Sequence, residues 1–192
     1  MIYVPRPTLS PQLQQLLRPL LSFIHSGDPR SIYSELQQVA EGESGGIYAA
    51  YPSGQSSGGG VAAIKRVKLQ EETRLRIETL GRELTLLDGV KHINILSYSA
   101  VWLVGEPGSS LDGSVELWIQ MDLMDRSLAD LLGLLEDGLV IEERHVACFA
   151  KDVANALAFL EDRFIAHRDV RSDNLLISGD GIVKLGESDD FF

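Results

Sequence analysis

The loop His167–Asn174 carries the side chains best suited to chemistry in this sequence. Asp169 can accept the proton of an attacking hydroxyl group, and Asn174 can bind a divalent cation through its side-chain oxygen. Arg171 can stabilise the negative charge of a phosphoryl group in transfer. The alternative is a charged, solvated loop. Because the loop follows a long predicted helix and precedes a predicted hairpin, we favour a catalytic loop for phosphoryl transfer.

Two further charged residues, Lys65 and Glu83, stand where apolar residues dominate. Lys65 ends the apolar run 61–64, which predicts that its ammonium group reaches the edge of a cleft and neutralises phosphates there. Glu83 lies in a helical stripe with Leu80 and Leu87, where a carboxylate is costly unless it is paired. We expect Lys65 to be its partner. The alternatives are a strand lysine that keeps its charge in water and a surface glutamate.

The segment 40–48 is rich in glycine, with Gly42, Gly45 and Gly46. Backbone amides of residues without side chains can approach phosphate oxygens closely, so the segment is consistent with a phosphate-binding loop. A tight hairpin that requires positive φ angles uses the same residues. Taken alone, the segment favours the hairpin.

Hydrophobic periodicity predicts the elements that must position these residues. Strands are predicted at 36–40, 47–51, 61–67, 95–103 and 115–122, and helices at 10–25, 71–88, 127–133 and 142–161. Pro19 is expected to kink or break the first helix. Gly179–Gly181 predicts a hairpin between short strands at 175–178 and 182–185. The order is three strands, a helix, two strands, a long helix, the polar loop and a hairpin.

The composition indicates which kinds of partner the chain disfavours and which cellular compartment it suits. Seventeen Lys and Arg residues against 28 Asp and Glu residues give a net charge of −11, which disfavours nucleic acid and anionic membrane surfaces as main partners. No apolar run reaches the roughly 18 residues of a membrane span, and the first residues lack the pattern of a secretory signal. We therefore expect a cytoplasmic protein. The single cysteine, Cys148, is expected to be a buried structural thiol, with a reactive thiol as the alternative.

The glycine-rich segment, Lys65, Glu83 and the loop His167–Asn174 follow one another in an order that resembles the protein kinase family. The resemblance covers about residues 30–188. The segments that are similar to the PAK-like serine/threonine kinases of the STE group are Gly27–Arg30, Gly42–Tyr48, Glu116–Trp118 and Ser172-Asp173 within the loop.

The resemblance implies an α+β, protein-kinase-like fold, with a five-stranded antiparallel N-lobe sheet, helix C and the first part of a helical C-lobe. The expected division is an N-terminal helical extension at 1–30, an N-lobe with the ATP-binding loop and hinge at 31–124, and a partial C-lobe at 125–192. We expect a truncated kinase domain, because the family's activation segment would follow Phe192. The apolar face of helix 142–161 would then lack its usual cover and offer a site for a protein partner.

The resemblance also implies ATP and Mg²⁺ as cofactors, with transfer of the γ-phosphate of ATP to a protein serine or threonine in signalling. Lys65 and Glu83 are then expected to position the phosphates, Asp169 to act as the base and Arg171 to steady the phosphoryl group. The residues expected to contact the nucleotide are Gly42 and Gly45 in the phosphate loop, Ile47, Ala63 and Leu176 around the adenine, Met121 guarding the pocket, and the hinge residues Asp122 to Met124.

The expected magnesium ligands are Asn174 and Glu187, and the second of these departs from the family. The resemblance places the aspartate of a DFG triplet at position 187, where this sequence has Glu187-Ser188-Asp189. An alignment shifted by three residues, onto Asp190-Phe191-Phe192, is the alternative. Mg²⁺ requires near-octahedral geometry at about 2.0–2.1 Å. A longer carboxylate therefore raises a second hypothesis, a catalytically impaired pseudokinase or scaffold that binds nucleotide or a partner without turnover.

Overall fold

The computed structural model describes residues 11–42, 45–53, 60–70, 73–87, 89, 91–105 and 112–186. They form two compact units: the first holds the residues up to Thr85 with Tyr98–Asp122, and the second holds Leu86–Ser97 and the residues from Leu123 onward. The strands are β1 Tyr33–Gly42, β2 Gly45–Pro52, β3 Ala62–Gln70, β4 Tyr98–Val104, β5 Asp112–Met121, β6 Arg126–Ser127, β7 Leu175–Ile177 and β8 Val183–Leu185. The helices are α1 Pro11–Leu17, α2 Arg74–Leu86, α3 Leu128–Gly133 and α4 Glu143–Glu161, with 3₁₀ turns at Arg18–Leu20, Pro29–Ser31 and Ser172–Asn174.

The first unit contains a five-stranded antiparallel sheet with the strand order β1-β2-β3-β5-β4. This confirms the predicted sheet. β3 lies in its interior, paired with β2 on one side and β5 on the other. Because side chains alternate along a strand, Ala63, Lys65 and Val67 point to one face, and Ile64 and Arg66 point to the other.

The face with Ile64 carries an aromatic and aliphatic core, whose buried members are Tyr33, Ala50, Ile64, Trp102 and Trp118. The guanidinium group of Arg66 lies 5.1 Å from the ring centroids of both Tyr48 and Trp118, which is within the range of cation–π attraction. Glu116 accepts two hydrogen bonds from the same group, at 2.9 and 3.0 Å. The partly buried guanidinium group of Arg66 therefore has both hydrogen-bond and aromatic partners. Its bonds to Glu116 link β3 to β5.

The N-terminal segment packs in the first unit through its buried leucines Leu13, Leu16, Leu17 and Leu20. The predicted helix 10–25 is too long: α1 ends at Leu17 and a 3₁₀ turn holds Pro19, because proline cannot continue the helical hydrogen bonds. Pro19 lies against Gly81 of α2, where an added Cβ would be 2.5 Å from the Cβ of Pro19. Gly81 is unfavourable for helix propensity, and its lack of a side chain allows this close contact.

The second unit contains a three-stranded sheet with the order β6-β7-β8. The loop that precedes β4 in sequence borders its edge: Ile95 forms a parallel bridge with Leu185, and the amide of Leu96 donates to the carbonyl of Leu185 at 2.9 Å. The prediction of a strand over 95–103 is therefore wrong at its start. β4 begins at Tyr98 because residues 95 and 96 pair with β8 instead.

α4 is mostly exposed, and only Ala156 and Leu160 of its residues are buried. These two pack with Ile95 and Leu185 in the core of the second unit. The prediction that Cys148 is buried is wrong, because the core covers only the C-terminal half of α4 and Cys148 lies exposed in the other half. Over the described ranges, no helix has the length and apolar content that crossing a membrane requires.

The turn after α4 holds Phe164 in a left-handed backbone conformation. Its φ angle is +58°, which costs a residue with a Cβ roughly 1–2 kcal/mol. The side chain is fully exposed, so packing of the ring does not offset this cost.

Replacing Phe164 by glycine is expected to raise the free energy of unfolding by about 1 kcal/mol, because glycine adopts this φ angle freely and no packing is lost. Urea denaturation of the purified chain measures the difference. Phe164→Ala is the control, since it removes the ring and keeps the Cβ. Equal stability of the glycine and alanine variants would contradict the strain argument.

Candidate active site

One face of the first unit's sheet carries several of the residues predicted to bind a nucleotide. Ala63 is directly opposite Met121 of β5, and Lys65 is directly opposite Ile47 of β2 and Ile119 of β5. Residues directly opposite in antiparallel strands point to the same face. Ile47, Ala63, Lys65 and Met121 therefore share one face, opposite to the aromatic core.

The glycine-rich segment forms the closed end of the β1–β2 hairpin. Gly42 pairs with Gly45, and residues 43 and 44 lie outside the described chain. Gly45 has a φ angle of +139°, and a Cβ added there would lie 1.9 Å from the carbonyl oxygen of Arg66. Both the backbone conformation and the proximity of β3 thus require glycine at position 45. The hairpin interpretation accounts for this glycine, and the phosphate-binding interpretation stays a prediction.

Glu83 is only 5% exposed and lies on the buried side of α2 with Ile77, Leu80 and Leu84. A carboxyl group in this setting needs hydrogen-bond donors. The hydroxyl group of Tyr98 donates to Glu83 Oε1 at 3.2 Å. Sequence reasoning missed Tyr98, whose only signal is a tyrosine at the edge of an apolar strand. The pairing of Glu83 with the half-buried Lys65 stays a prediction.

The predicted hinge, Asp122 to Met124, lies outside the helices and strands. Asp122 is the last residue of the first unit and Met124 belongs to the second, and both side chains are half-buried. Leu176 is a half-buried residue of β7, directly opposite Lys184 of β8. The role of the backbone of Asp122 to Met124 in recognising the base stays a prediction.

In the second unit, the predicted catalytic loop brings Asp169 and Asn174 into direct contact. The side-chain nitrogen Nδ2 of Asn174 donates to Asp169 Oδ2 at 2.8 Å and to the backbone carbonyl of Asp169 at 3.0 Å. The backbone amide of Asn174 donates to the carbonyl of Arg171 at 3.0 Å. Both side chains are half-buried, and the hydrogen bond from Asn174 orients the carboxylate of Asp169.

Two hydrogen bonds hold Gly186, the residue before the predicted magnesium ligand. The amide of Gly186 donates to the carbonyl of Asn174 at 2.8 Å, and Nε2 of the buried His167 donates to the carbonyl of Gly186 at 2.8 Å. Gly186 is therefore tied to the predicted catalytic loop. Glu187, Ser188 and the alternative triplet lie outside the described residues.

Side chains that sequence reasoning missed also fix β8, the strand that leads to Gly186. Asn94, 2% exposed, donates through Nδ2 to the carbonyl of Val183 at 3.0 Å. Asp152 of α4 accepts a hydrogen bond from the amide of Val183 at 3.0 Å. The carbonyl of Asn94 accepts from the amide of Leu185 at 2.8 Å. Backbone groups on the edge of β8 that does not pair with β7 thus have hydrogen-bond partners.

Arg171 lies at the surface of the loop, and its Nε donates to Asp173 Oδ2 at 3.0 Å. Both side chains are more than half exposed, so water screens this ion pair and it adds little to stability. A phosphoryl group near the loop would compete with Asp173 for the guanidinium group. The predicted role of Arg171 in steadying that group stays a prediction.

The geometry of Asn174 fits a hard cation such as Mg²⁺. Both described hydrogen bonds of its side chain use the amide nitrogen, which leaves Oδ1 as the oxygen that such cations prefer. The structure's described part contains no cluster of three or more His, Cys, Asp or Glu side chains able to hold a metal. A site made from Asn174 and position 187 depends on a residue outside that part.

Known sequences that are similar to this chain come from one family. The sequence profile of the protein kinase domain matches residues 33–191. The chain is similar to the serine/threonine-protein kinase STE20 of Eremothecium gossypii, with 31% identity over 90% of the chain and 16% of that protein. It is also similar to the serine/threonine-protein kinase pak-2 of Caenorhabditis elegans, with 34% identity over 88% of the chain and 29% of that protein.

A mammalian kinase is similar to the chain to about the same degree. The serine/threonine-protein kinase PAK 1 of Mus musculus is 31% identical over 90% of the chain and 28% of its own length. The chain spans less than a third of the length of each of these relatives. The similarity therefore concerns the domain and leaves the greater part of each relative unmatched.

Substituting alanine for Gly45 is expected to destabilise the chain by about 2 kcal/mol or more, because the new Cβ meets the backbone of β3 at an unfavourable φ angle. Thermal unfolding measures the loss. Gly60→Ala is the matched control, since no atom lies within 4 Å of a Cβ added there. A Gly45→Ala chain as stable as this control would contradict the described hairpin.

Proposed function

The chain belongs to the protein kinase family, and on that basis we propose that it binds ATP and transfers the γ-phosphate to a serine or threonine of a protein. The observation that carries the proposal is the contact in which Asn174 orients the carboxylate of Asp169. An oriented carboxylate beside an amide oxygen open to a cation is what phosphoryl transfer to a hydroxyl group needs. The names of the similar proteins, all serine/threonine kinases, support the choice of acceptor.

In this proposal the first unit supplies the nucleotide contacts. Ile47 and Ala63 contact the adenine, and Met121 limits the depth of the pocket. The backbone of Asp122 to Met124 hydrogen-bonds the base. Amides near Gly42 and Gly45 approach the phosphates. The shared face of Ile47, Ala63, Lys65 and Met121 supports this assignment.

Charged residues complete the proposed phosphate site. Lys65 contacts the α- and β-phosphates and is positioned by Glu83, whose burial favours a charged partner. During transfer, the hydroxyl oxygen of the acceptor bonds to the γ-phosphorus as the bond to the leaving oxygen of ADP breaks. The hydroxyl proton passes to the carboxylate of Asp169, and Arg171 stabilises the charge of the phosphoryl group.

Asn174, through Oδ1, and Glu187 are the residues that would hold Mg²⁺. Bound there, the ion would neutralise phosphate charge and orient the oxygens of the γ-phosphate. His167 and Asn174 both form hydrogen bonds with Gly186, the residue before position 187. This supports the assignment.

The proposed partners are ATP and a protein substrate, and a further protein could dock on the exposed face of α4, which includes Val146 and Leu157. We propose a cytoplasmic role in signalling and a division of the chain at residues 30/31 and 124/125. The second hypothesis, a pseudokinase that binds without turnover, is not favoured by the similarity to proteins named as kinases.

Phosphoryl transfer is tested with purified chain, Mg²⁺, radiolabelled ATP and a generic basic protein substrate. We expect Asp169→Asn to lower the transfer rate by about 10²–10⁴-fold, because the substitution removes the proton acceptor. Asp180→Asn, in the exposed β7–β8 turn, is the matched control and should retain the wild-type rate. Equal rates for wild type and Asp169→Asn would end the catalytic proposal. Stabilisation by ATP without any transfer would then support the pseudokinase.

The residue at position 187 is tested by Glu187→Asp. Because a misplacement of about 1 Å can cost roughly 10²-fold in rate, restoring the shorter carboxylate is expected to raise transfer by about tenfold or more. Asp190→Asn distinguishes the two alignments: it should leave the rate unchanged if position 187 holds the ion. Loss of transfer in Asp190→Asn, with no gain in Glu187→Asp, would instead assign the metal to the shifted triplet.

A further inference from the structure

Tyr98 lies at a position that the proposed function does not use. It is the first residue of β4 and is directly opposite Met121 of β5, which in turn is opposite Ala63 of β3. Ala63, Met121 and Tyr98 therefore form one row across the face that also carries Lys65. From this row, the hydroxyl group of Tyr98 reaches Glu83 on α2.

The environment of Glu83 explains why a donor matters there. Its side chain is 5% exposed among apolar residues of α2, and a buried carboxyl group that loses a donor retains its desolvation penalty. A hydroxyl donor satisfies one oxygen and restricts the orientation of the carboxyl group without cancelling a negative charge. The charge thus stays available to an ammonium group on the neighbouring sheet face.

We propose that Tyr98 is a positioning residue for nucleotide binding, whose hydroxyl group holds the Glu83 carboxylate in the orientation from which it positions Lys65. The inference rests on the proposed function, in which Lys65 contacts the phosphates of ATP. The bond of 3.2 Å is longer than the roughly 2.7–2.8 Å typical of O–H···O bonds. The expected effect on affinity is accordingly moderate.

Tyr98 could instead serve only to fill space beside Met121. The two roles differ in what phenylalanine does at this position. Phenylalanine fills nearly the same volume and lacks the donor, so a residue that only packs would tolerate it. If Tyr98 is a positioning residue, phenylalanine removes its effect on Glu83. The loss then appears only in chains that contain Glu83.

The test is a double-mutant cycle on the full chain, with wild type, Tyr98→Phe, Glu83→Gln and the double variant. The dissociation constant for Mg-ATP is measured by calorimetry. We expect Tyr98→Phe to raise it about fivefold, equivalent to about 1 kcal/mol. In the Glu83→Gln background the same substitution should change it less than twofold, because the oriented carboxylate is already absent.

Tyr33→Phe is the matched control, because Tyr33 is a buried tyrosine of the same unit that lies in the aromatic core on the opposite face of the sheet. It should leave the dissociation constant within twofold of wild type. If the Glu83→Gln chain does not fold, Glu83→Asp takes its place in the cycle, since the shorter side chain withdraws from the hydroxyl group. An equal effect of Tyr98→Phe in both backgrounds, or no effect in wild type, overturns the inference.

Failure of the proposed function gives a different result, namely a wild-type chain that does not bind ATP. Thermal unfolding of the same four chains then decides whether Tyr98 orients Glu83. Tyr98→Phe is expected to lower the melting temperature by about 2–4 °C where Glu83 is present and to have little effect where it is replaced. An equal decrease in both backgrounds overturns the inference.

Discussion

The carboxyl group of Glu83 sits almost fully buried in the apolar stripe of α2, and the packing around it depends on making that burial tolerable. A buried carboxyl group costs several kcal/mol unless donors or an opposite charge reach it. The hydroxyl of Tyr98 is such a donor, and it reaches Glu83 only because β4 begins where it does. The position of α2 relative to the sheet is therefore a matter of electrostatics as well as of apolar packing.

A similar constraint acts in the second unit, where the backbone groups on one edge of a short, mostly buried strand need hydrogen-bond partners. β8 has three residues and pairs with β7 on one side only. Asn94, Leu96 and Asp152 supply partners on its other side. These bonds hold the strand up to Gly186, which His167 and Asn174 bind in turn. Side chains outside the predicted catalytic loop thus help to fix Gly186, the residue before the predicted metal ligand.

Sequence patterns predicted elements well where one periodicity ran without interruption. The stripe of α2 and the apolar run that leads into β3 are of this kind, since each is read from residues close in sequence. Pro19 correctly marked the end of the first helix, but the pattern beyond it predicted helix where a 3₁₀ turn occurs. The pattern over 95–103 predicts one strand, and nothing local shows that Ile95 and Leu96 pair with β8 instead of with the first sheet. Cys148 sits in an apolar helical pattern, which does not reveal how much of a helix the core covers.

The sequence by itself determined which residue types are available for chemistry and their order along the chain: Lys65 in a strand, Glu83 in a helix, and Asp169 and Asn174 in one loop. Those features are local, because side-chain chemistry and short-range periodicity do not depend on distant partners. Only the tertiary structure decided the contacts that join segments far apart in sequence. The approach of Gly45 to Arg66, the bond from Tyr98 to Glu83 and the fastening of β8 by Asn94 all depend on strand register and on packing, which are set by the whole chain at once.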